Sequence, residues 1–499
     1  MGLHISRELY IFVHHQNFKS MKSLSRLFIV IAAICLAQGA TAQLRTSYFM
    51  EGTYFRTDLN PALAPTRGYV ALPGMSGVGV DIPNNFLSAE NFIFQKEGQS
   101  LLALHPNVTS NEFLAKLPDK GRIGANANVN ILSFGFYTGR TYWNIGTRMR
   151  STTDVTLSKD IFAALKTTGS GTYDLSSTAI NSNSYLETYL GTSFPIGKHV
   201  NIGIRAKFLV GVLNMRTQFE SAYVTAASDN VAAQLRGSLV ANGIVIDQSK
   251  MMPGTIVNDD NILDMIVYDD AAYLFKNAKS YGGAIDLGVE VKMLRDHLKL
   301  SVAVTDVGFI NWKASTNYTA AATADIALNS LTIYEGKVDM EAGFEMVTEA
   351  PSAKDYRTVL NGALNVGIEY NFLRNHFAIG LMSHTERYDK NLYTELTASL
   401  NIRATNWLSA TVSHTFLANN KVGVLGAAIN IHPRALNIFV GADFVDTRYV
   451  THGGITMPRY MNSINVYTGV GFNFARPAFI KKAEREAKEA RKLRRQARW

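Results

Sequence analysis

Along much of the chain, apolar and polar residues alternate with a period of two. In "INVYTGVGFNF", Ile464, Val466, Thr468, Val470, Phe472 and Phe474 fall on one face, and Asn465, Tyr467, Gly469, Gly471 and Asn473 on the other. The pattern recurs where Ile285, Leu287, Val289, Val291 and Met293 alternate with Asp286, Gly288, Glu290 and Lys292. It recurs again at 298–304, and where Asn126, Asn128 and Asn130 alternate with Ala127, Val129 and Ile131. Such alternation sends successive side chains to opposite faces of a sheet. Runs of about ten residues match a tilted strand crossing a bilayer, whereas strands in soluble domains average about five or six. The second face carries charge, amide and glycine, which suits a wet lumen. The pattern predicts an all-β fold, an antiparallel transmembrane β-barrel with its apolar face turned outward to lipid.

Counting back from Phe474 predicts strands at 464–474, 436–447, 421–431, 407–417, 392–403, 377–388, 358–372, 298–312, 281–294, 200–218, 182–194, 141–158, 123–137 and 68–82. That makes about 14 strands, an even number that places both termini on the periplasmic side. Tight turns at 138–140, 195–199, 295–297, 373–376, 404–406 and 432–435 all fall at one end. The long connections 83–122, 159–181, 219–280 and 313–357 all fall at the other, as extracellular loops do. Trp143, Trp312 and Trp407 stand at strand ends, where aromatic girdles belong. Within 219–280, residues 234–247 read as an extra hairpin arm, and 261–278 have helical periodicity.

The two ends differ from this body. The 499 residues carry a formal charge of +9, with 18% charged residues and 10% aromatic. Residues 1–42 hold four Lys/Arg and one acid, and 476–499 hold ten and three, which leaves 35 bases and 36 acids for 43–475. Residues 21–42 read as a signal peptide: a basic start from Met21, an apolar stretch from Leu27 to Ala37, and small residues before cleavage between Ala42 and Gln43. Residues 1–20 fit no targeting pattern and read as a misassigned upstream extension. Cys35, the one cysteine, lies inside the apolar stretch; Ile34 before it is bulky where a lipoprotein signal needs a small residue. The mature chain would have no cysteine, which excludes disulfides and thiolate chemistry.

Between the signal and the barrel (68–475), residues 43–67 are short and polar, yet contain Tyr48, Phe49, Tyr54 and Phe55. They read as an N-terminal plug, with a turn at Asn60 and Pro61. Asn60-Pro61-Ala62-Leu63 resembles the Asn-Pro-Ala stretch in the N-terminal hatch of FadL-type long-chain fatty-acid channels and their type IX secretion relatives. "TDVGFINW" (305–312) is similar to a segment recurring in uncharacterised outer-membrane barrels allied to them. The resemblance implies a fourteen-stranded barrel, a small plug, and passage of hydrophobic molecules.

Asp286, Glu290, Lys292 and Lys299 are expected to face the lumen, where unpaired charge is costly and internal ion pairs are favoured. Alternation also puts His384 and Glu386 inward. The repeated Ser-His-Thr of 383–385 and 413–415 does not make a catalytic pair, because adjacent residues on a strand point apart. No spacing marks a metal site, no cofactor is expected, and the chain reads as a non-enzyme. The tail 476–499 reads as a basic, helical, periplasmic extension with Glu484–Lys488 at i,i+4. Its expected partners are anionic lipid headgroups or a periplasmic protein, not nucleic acid, which the topology keeps away. Phe474 ends the last strand in the aromatic position read by the barrel-assembly machinery. The leading expectation is a passive outer-membrane channel for small hydrophobic molecules. The alternatives are an anchor or adaptor for an envelope or secretion complex and, more remotely, an outer-membrane hydrolase.

Overall fold

A computed structural model describes residues 45–482 except 73–76, 167–170, 227–230, 243–244, 247–255, 258–265, 268–278, 314–316, 335–336, 349–353, 389–390, 418–422, 446–447, 453–454, 460–462 and 475, together with a few positions beyond 482. The expected signal peptide and upstream extension lie outside the described residues.

Fourteen strands form one closed antiparallel barrel. They are β1 (Tyr69–Ala71 with Val78–Pro83), β2 (Lys120–Thr138), β3 (Thr141–Ser158), β4 (Ala179–Ile196), β5 (Val200–Ala226), β6 (Ser280–Met293) and β7 (Leu298–Trp312). There follow β8 (Tyr356–Val359 with Ala363–Phe372), β9 (Phe377–Tyr388), β10 (Asn391–Ile402), β11 (Leu408–Leu417), β12 (Gly423–Ile431), β13 (Leu436–Val445) and β14 (Ser463–Asn473). Each strand pairs with its neighbours in sequence, and β1 closes the ring by pairing both β2 and β14. Closure satisfies every ladder and leaves no open edge, the condition for a sheet to cross lipid. Among the described residues, no helix is long and apolar enough to cross a membrane.

The outer face is apolar. Leu287, Val302, Ile368, Ile379, Val412 and Val440 all stand exposed on it. Val289 is 38% exposed and its neighbour Glu290 only 7%, so the apolar residues of β6 face out and the charged ones face in. This is the inverse of a soluble sheet, and it marks a barrel of the outer-membrane kind.

One alternation breaks. On β7, Thr305 and Asp306 together oppose Asp286, since Ile285 pairs with Val307 but Leu287 with Val304. Asp306 takes a φ of 58°, a left-handed conformation that aspartate tolerates better than most residues, and its backbone N–H donates to the Asp286 carboxylate at 2.7 Å. The extra residue reverses the facing of the rest of the strand. Trp312 is therefore not a girdle residue. It is fully buried, its indole N–H donating to Thr358 at 2.8 Å, in a cluster with Tyr185, Leu209, Ile310 and Leu360. Trp407 does stand exposed, at the short-turn rim.

The long connections carry structure of their own. β5 continues past the expected 218, and Val231–Asn242 returns along it as a hairpin arm. That arm pairs in turn with Asn317–Tyr334, which turns back as Lys337–Thr348. The 313–357 connection is thus a long hairpin that alternation had not separated from a loop. Of 261–278, Ile266–Val267 is a short strand on Val245–Ile246, and the remaining positions expected to be helical lie outside the described residues. Residues 86–117 fold over the same rim, burying Phe86, Phe94, Val108, Phe113 and Leu117, with Phe162 packed against them.

Candidate functional site: the occupied lumen

Residues 45–67 run inside the barrel. Tyr48, Phe49, Tyr54 and Phe55 are buried there, in one cluster with wall residues Tyr69, Tyr142, Met382, Phe439 and Tyr467. Tyr54 stacks on Tyr69 with ring centres 3.9 Å apart. The segment starts high in the lumen, where Thr46 bonds Ser413 at 2.6 Å and also donates to Asp443. It descends to the short-turn end, where Asn437 donates to the Gly52 carbonyl at 3.0 Å. After rising again it leaves at the same end, where the Tyr137 hydroxyl donates to the Pro65 carbonyl at 2.6 Å.

The Asn60-Pro61 stretch is a turn held against the wall. The Leu63 N–H donates to the Asn60 carbonyl at 3.0 Å, and the Ala62 N–H donates to the Asn60 side chain at 2.9 Å. Beneath it, Gly203 of β5 and Gly288 of β6 lie directly opposite one another. A Cβ at Gly203 would overlap the backbone of Pro61 and Ala62, and one at Gly288 would overlap the Asn60 side chain. Glycine is required here for close approach. Ser193, at 3.2 Å, and Asn201 both donate to the Ala62 carbonyl, which anchors the turn in this notch.

Ion pairs hold the segment on three sides. Asp58 meets Arg205 at 2.6 Å and Arg148 at 3.0 Å. Burial alone would raise the Asp58 carboxyl, but Arg148 and Arg205 hold it below the ordinary aspartate value. From there a network spreads across the wall. Arg148 and Arg150 share Glu187, Arg150 reaches Asp306 at 2.7 Å, and Lys207 bridges Asp306 and Asp286 at 2.6 Å each. At the short-turn end, Glu51 pairs with Lys299 and lies 3.6 Å from Arg403, and both cations also pair with Glu369. High in the lumen, Arg45 reaches Glu395 at 2.5 Å.

Asp286, Glu290 and Lys299 thus point inward, with Asp286 and Lys299 inside ion-pair networks. Lys292 stands half-exposed at the short-turn rim, 3.6 Å from Glu290. His384 is buried, its Nδ1 on the Asn365 side chain at 2.6 Å, and Glu386 lines the cavity described next. Alternation had not singled out Asp58, Arg148, Arg150, Glu187, Arg205, Lys207 or Asp306. The signal was present: Arg205 and Lys207 alternate with Ile204 and Phe208, both exposed on the outer face.

Above this segment, towards the long-loop rim, lies a cavity of about 310 Å³. Its wall is polar. Asn126 of β2, Thr152 of β3, Asn183 of β4 and Asn214 of β5 are successive register partners and form one band. Asp154, Asn181 and Arg216 form the next rung. Tyr185 and Leu360 border it from the apolar cluster around Trp312.

The fold is similar to that of the toluene transporter TbuX of Ralstonia pickettii, at 7% identity and a TM-score of 0.39 over 88% of this chain and 96% of that one. It is likewise similar to a FadL homologue of Pseudomonas aeruginosa, at 8% identity and a TM-score of 0.38 over 87% and 98%. No curated protein matches the chain in sequence. The model of a family of unknown function, DUF5723, matches residues 61–443, from the Asn60-Pro61 turn into β13, and the chain belongs to that family.

Proposed function

We propose that the protein is a plugged outer-membrane channel for small solutes, with its short turns in the periplasm and its hairpin arms outside. One observation carries this reading: residues 45–67 sit across the lumen on a fitted glycine notch, with a cavity above them and open recesses beside Glu51 at the short-turn end. A barrel serving only as an anchor needs neither. The plug would limit permeation, and its displacement would connect the cavity to the periplasm. The cavity wall combines amide and charged groups with apolar surface from Tyr185, Val359, Leu360 and Tyr388, so the FadL resemblance and the amide band point to different cargo classes. Deleting residues 44–60 should leave the barrel assembled and raise its conductance in planar bilayers. Unchanged conductance with normal assembly would overturn the reading.

A second reading, an adaptor that meets a periplasmic protein or anionic lipid through its basic tail, also has an observation behind it. Phe479 packs edge-on against Tyr137 at 5.6 Å, beside the plug's exit. The described tail positions from 478 onward are helical, and Lys482 pairs with Glu486. The Glu484–Lys488 pair expected from sequence lies outside the described residues. If this reading holds, removing 476–499 should abolish co-purification of a periplasmic protein or binding to anionic vesicles, without altering conductance.

A further inference from the structure

We infer that the upper-lumen cavity is a binding site for a neutral, polyhydroxylated solute of sugar size. The inference rests on the channel reading and names its cargo class. One band of the wall is uncharged, beside seven charged residues that also line the cavity. Asn126, Thr152, Asn183 and Asn214 stand side by side across four adjacent strands, joined in register. A carboxamide both donates and accepts, as a sugar hydroxyl does, so a row of amides matches a row of hydroxyls without a net charge.

Part of this band is already satisfied. Asn126 donates to Asp81 at 3.0 Å, and Asn214 donates to the Ser182 carbonyl while accepting from Tyr356 at 2.7 Å. Those bonds fix the amides in place. The Asn183 oxygen, in contrast, is buried without a hydrogen-bond partner among the described residues. A buried acceptor without a bond is costly, and a hydroxyl reaching it from the cavity would relieve that cost. On the next rung, Asn181 and Arg216 are register partners that face the cavity.

The same wall disfavours other classes. Arg150 and Asp306 pair with each other, and Asp154 pairs with Arg122 at 2.7 Å, so an ion would compete with bonds already made. The remaining charges on the wall are Arg216, Arg357, Arg387 and Glu386, with Arg357 donating to Asn311 at 2.8 Å. An apolar solute would strip water from Asn181, Asn183 and Arg216 and return no bond. Tyr185 and Leu360 supply a small apolar border on which the C–H face of a sugar ring can rest. The volume of about 310 Å³ sits at the lower end of small-molecule sites.

The test is calorimetric titration of the full-length protein in a non-glycosidic detergent with glucose, galactose, sucrose and maltose, and separately with toluene and octanoate. Saturable binding of at least one sugar is expected, with neither toluene nor octanoate bound. Asn183→Leu and Arg216→Gln, each shown by heat-modifiable mobility to assemble, should weaken that binding about tenfold, the equivalent of one lost hydrogen bond. Absence of sugar binding, or binding that neither variant changes, would overturn the inference. Binding of toluene or octanoate in place of sugar would overturn the cargo class and leave the channel intact. Failure of the channel reading itself shows separately, in the conductance of the 44–60 deletion.

Discussion

Replacing Gly203 by valine tests the plug by shape alone. Valine suits a β-strand and leaves every charge in place, so the wall should still form. Its side chain would point into the space held by Pro61 and Ala62, and Gly288 directly opposite gives no side chain that could move aside. Overpacking of this kind costs about 1–3 kcal/mol. Lifting the turn also breaks the bonds from Ser193 and Asn201 to the Ala62 carbonyl, at about 0.5–1.5 kcal/mol each. The sum, about 2–6 kcal/mol, lowers the ratio of docked to undocked plug by about thirtyfold or more. In planar bilayers Gly203→Val should therefore show more frequent open steps than the parent, with heat-modifiable mobility unchanged. Introduced into a 44–62 deletion, which removes the Pro61–Ala62 backbone it collides with, it should add nothing. The reasoning fails if Gly203→Val conducts like the parent, or if its effect persists in the deletion.

Three further outcomes follow from facing and charge. Val289→Arg should impair assembly by about 2–4 kcal/mol while Glu290→Arg is far better tolerated, and equal tolerance in a refolding assay would mean the faces are reversed. In single-tryptophan variants, brominated lipid should quench Trp407 strongly and Trp312 weakly; similar quenching of both would contradict the bulge at Asp306. Asp306→Val should lower the heat-modification midpoint more than Asp306→Asn, since asparagine tolerates the left-handed backbone and valine loses both the backbone fit and the partners of Arg150 and Lys207. Identical midpoints for the two variants would show that the backbone conformation is not a constraint.

The strands were legible because lipid demands an uninterrupted outer face. From β9 to β13 the alternation places strand ends within two residues of those observed, with the tight turns where expected. What stayed hidden was whatever breaks the period. A single extra residue at Thr305–Asp306 moves Trp312 from the lipid side to the interior, and nothing in "LKLSVAVTDVGFINW" announces it except an aspartate between two largely apolar halves. The arm at 317–348 was hidden for a different reason: it lies beyond the bilayer, where neither face has to be apolar. In the lumen, alternation gives the direction of Asp286 or Lys299 but not which of the other inward charges it meets, because those partners come from distant strands and from the plug. The aromatic content of 43–67 suggested a buried segment, and the reason it fits, Gly203 beside Gly288, becomes visible only once β5 and β6 are in register.

The bonds of the plug also bear on the order in which the barrel is made. Arg45 and Thr46 precede β1 in the chain, yet their partners Glu395, Ser413 and Asp443 belong to β10, β11 and β13, among the last strands in sequence. The start of the segment depends on those late strands, whereas Asp58 and the Asn60-Pro61 turn find their partners on β3, β4 and β5. In the finished ring, the β14–β1 seam thus encloses a segment whose bonds reach both early and late strands. A chain cut short near residue 390 would lack the very carboxylates that answer Arg45, so truncation would not yield a narrower barrel but an unfinished one with its first residues unclaimed.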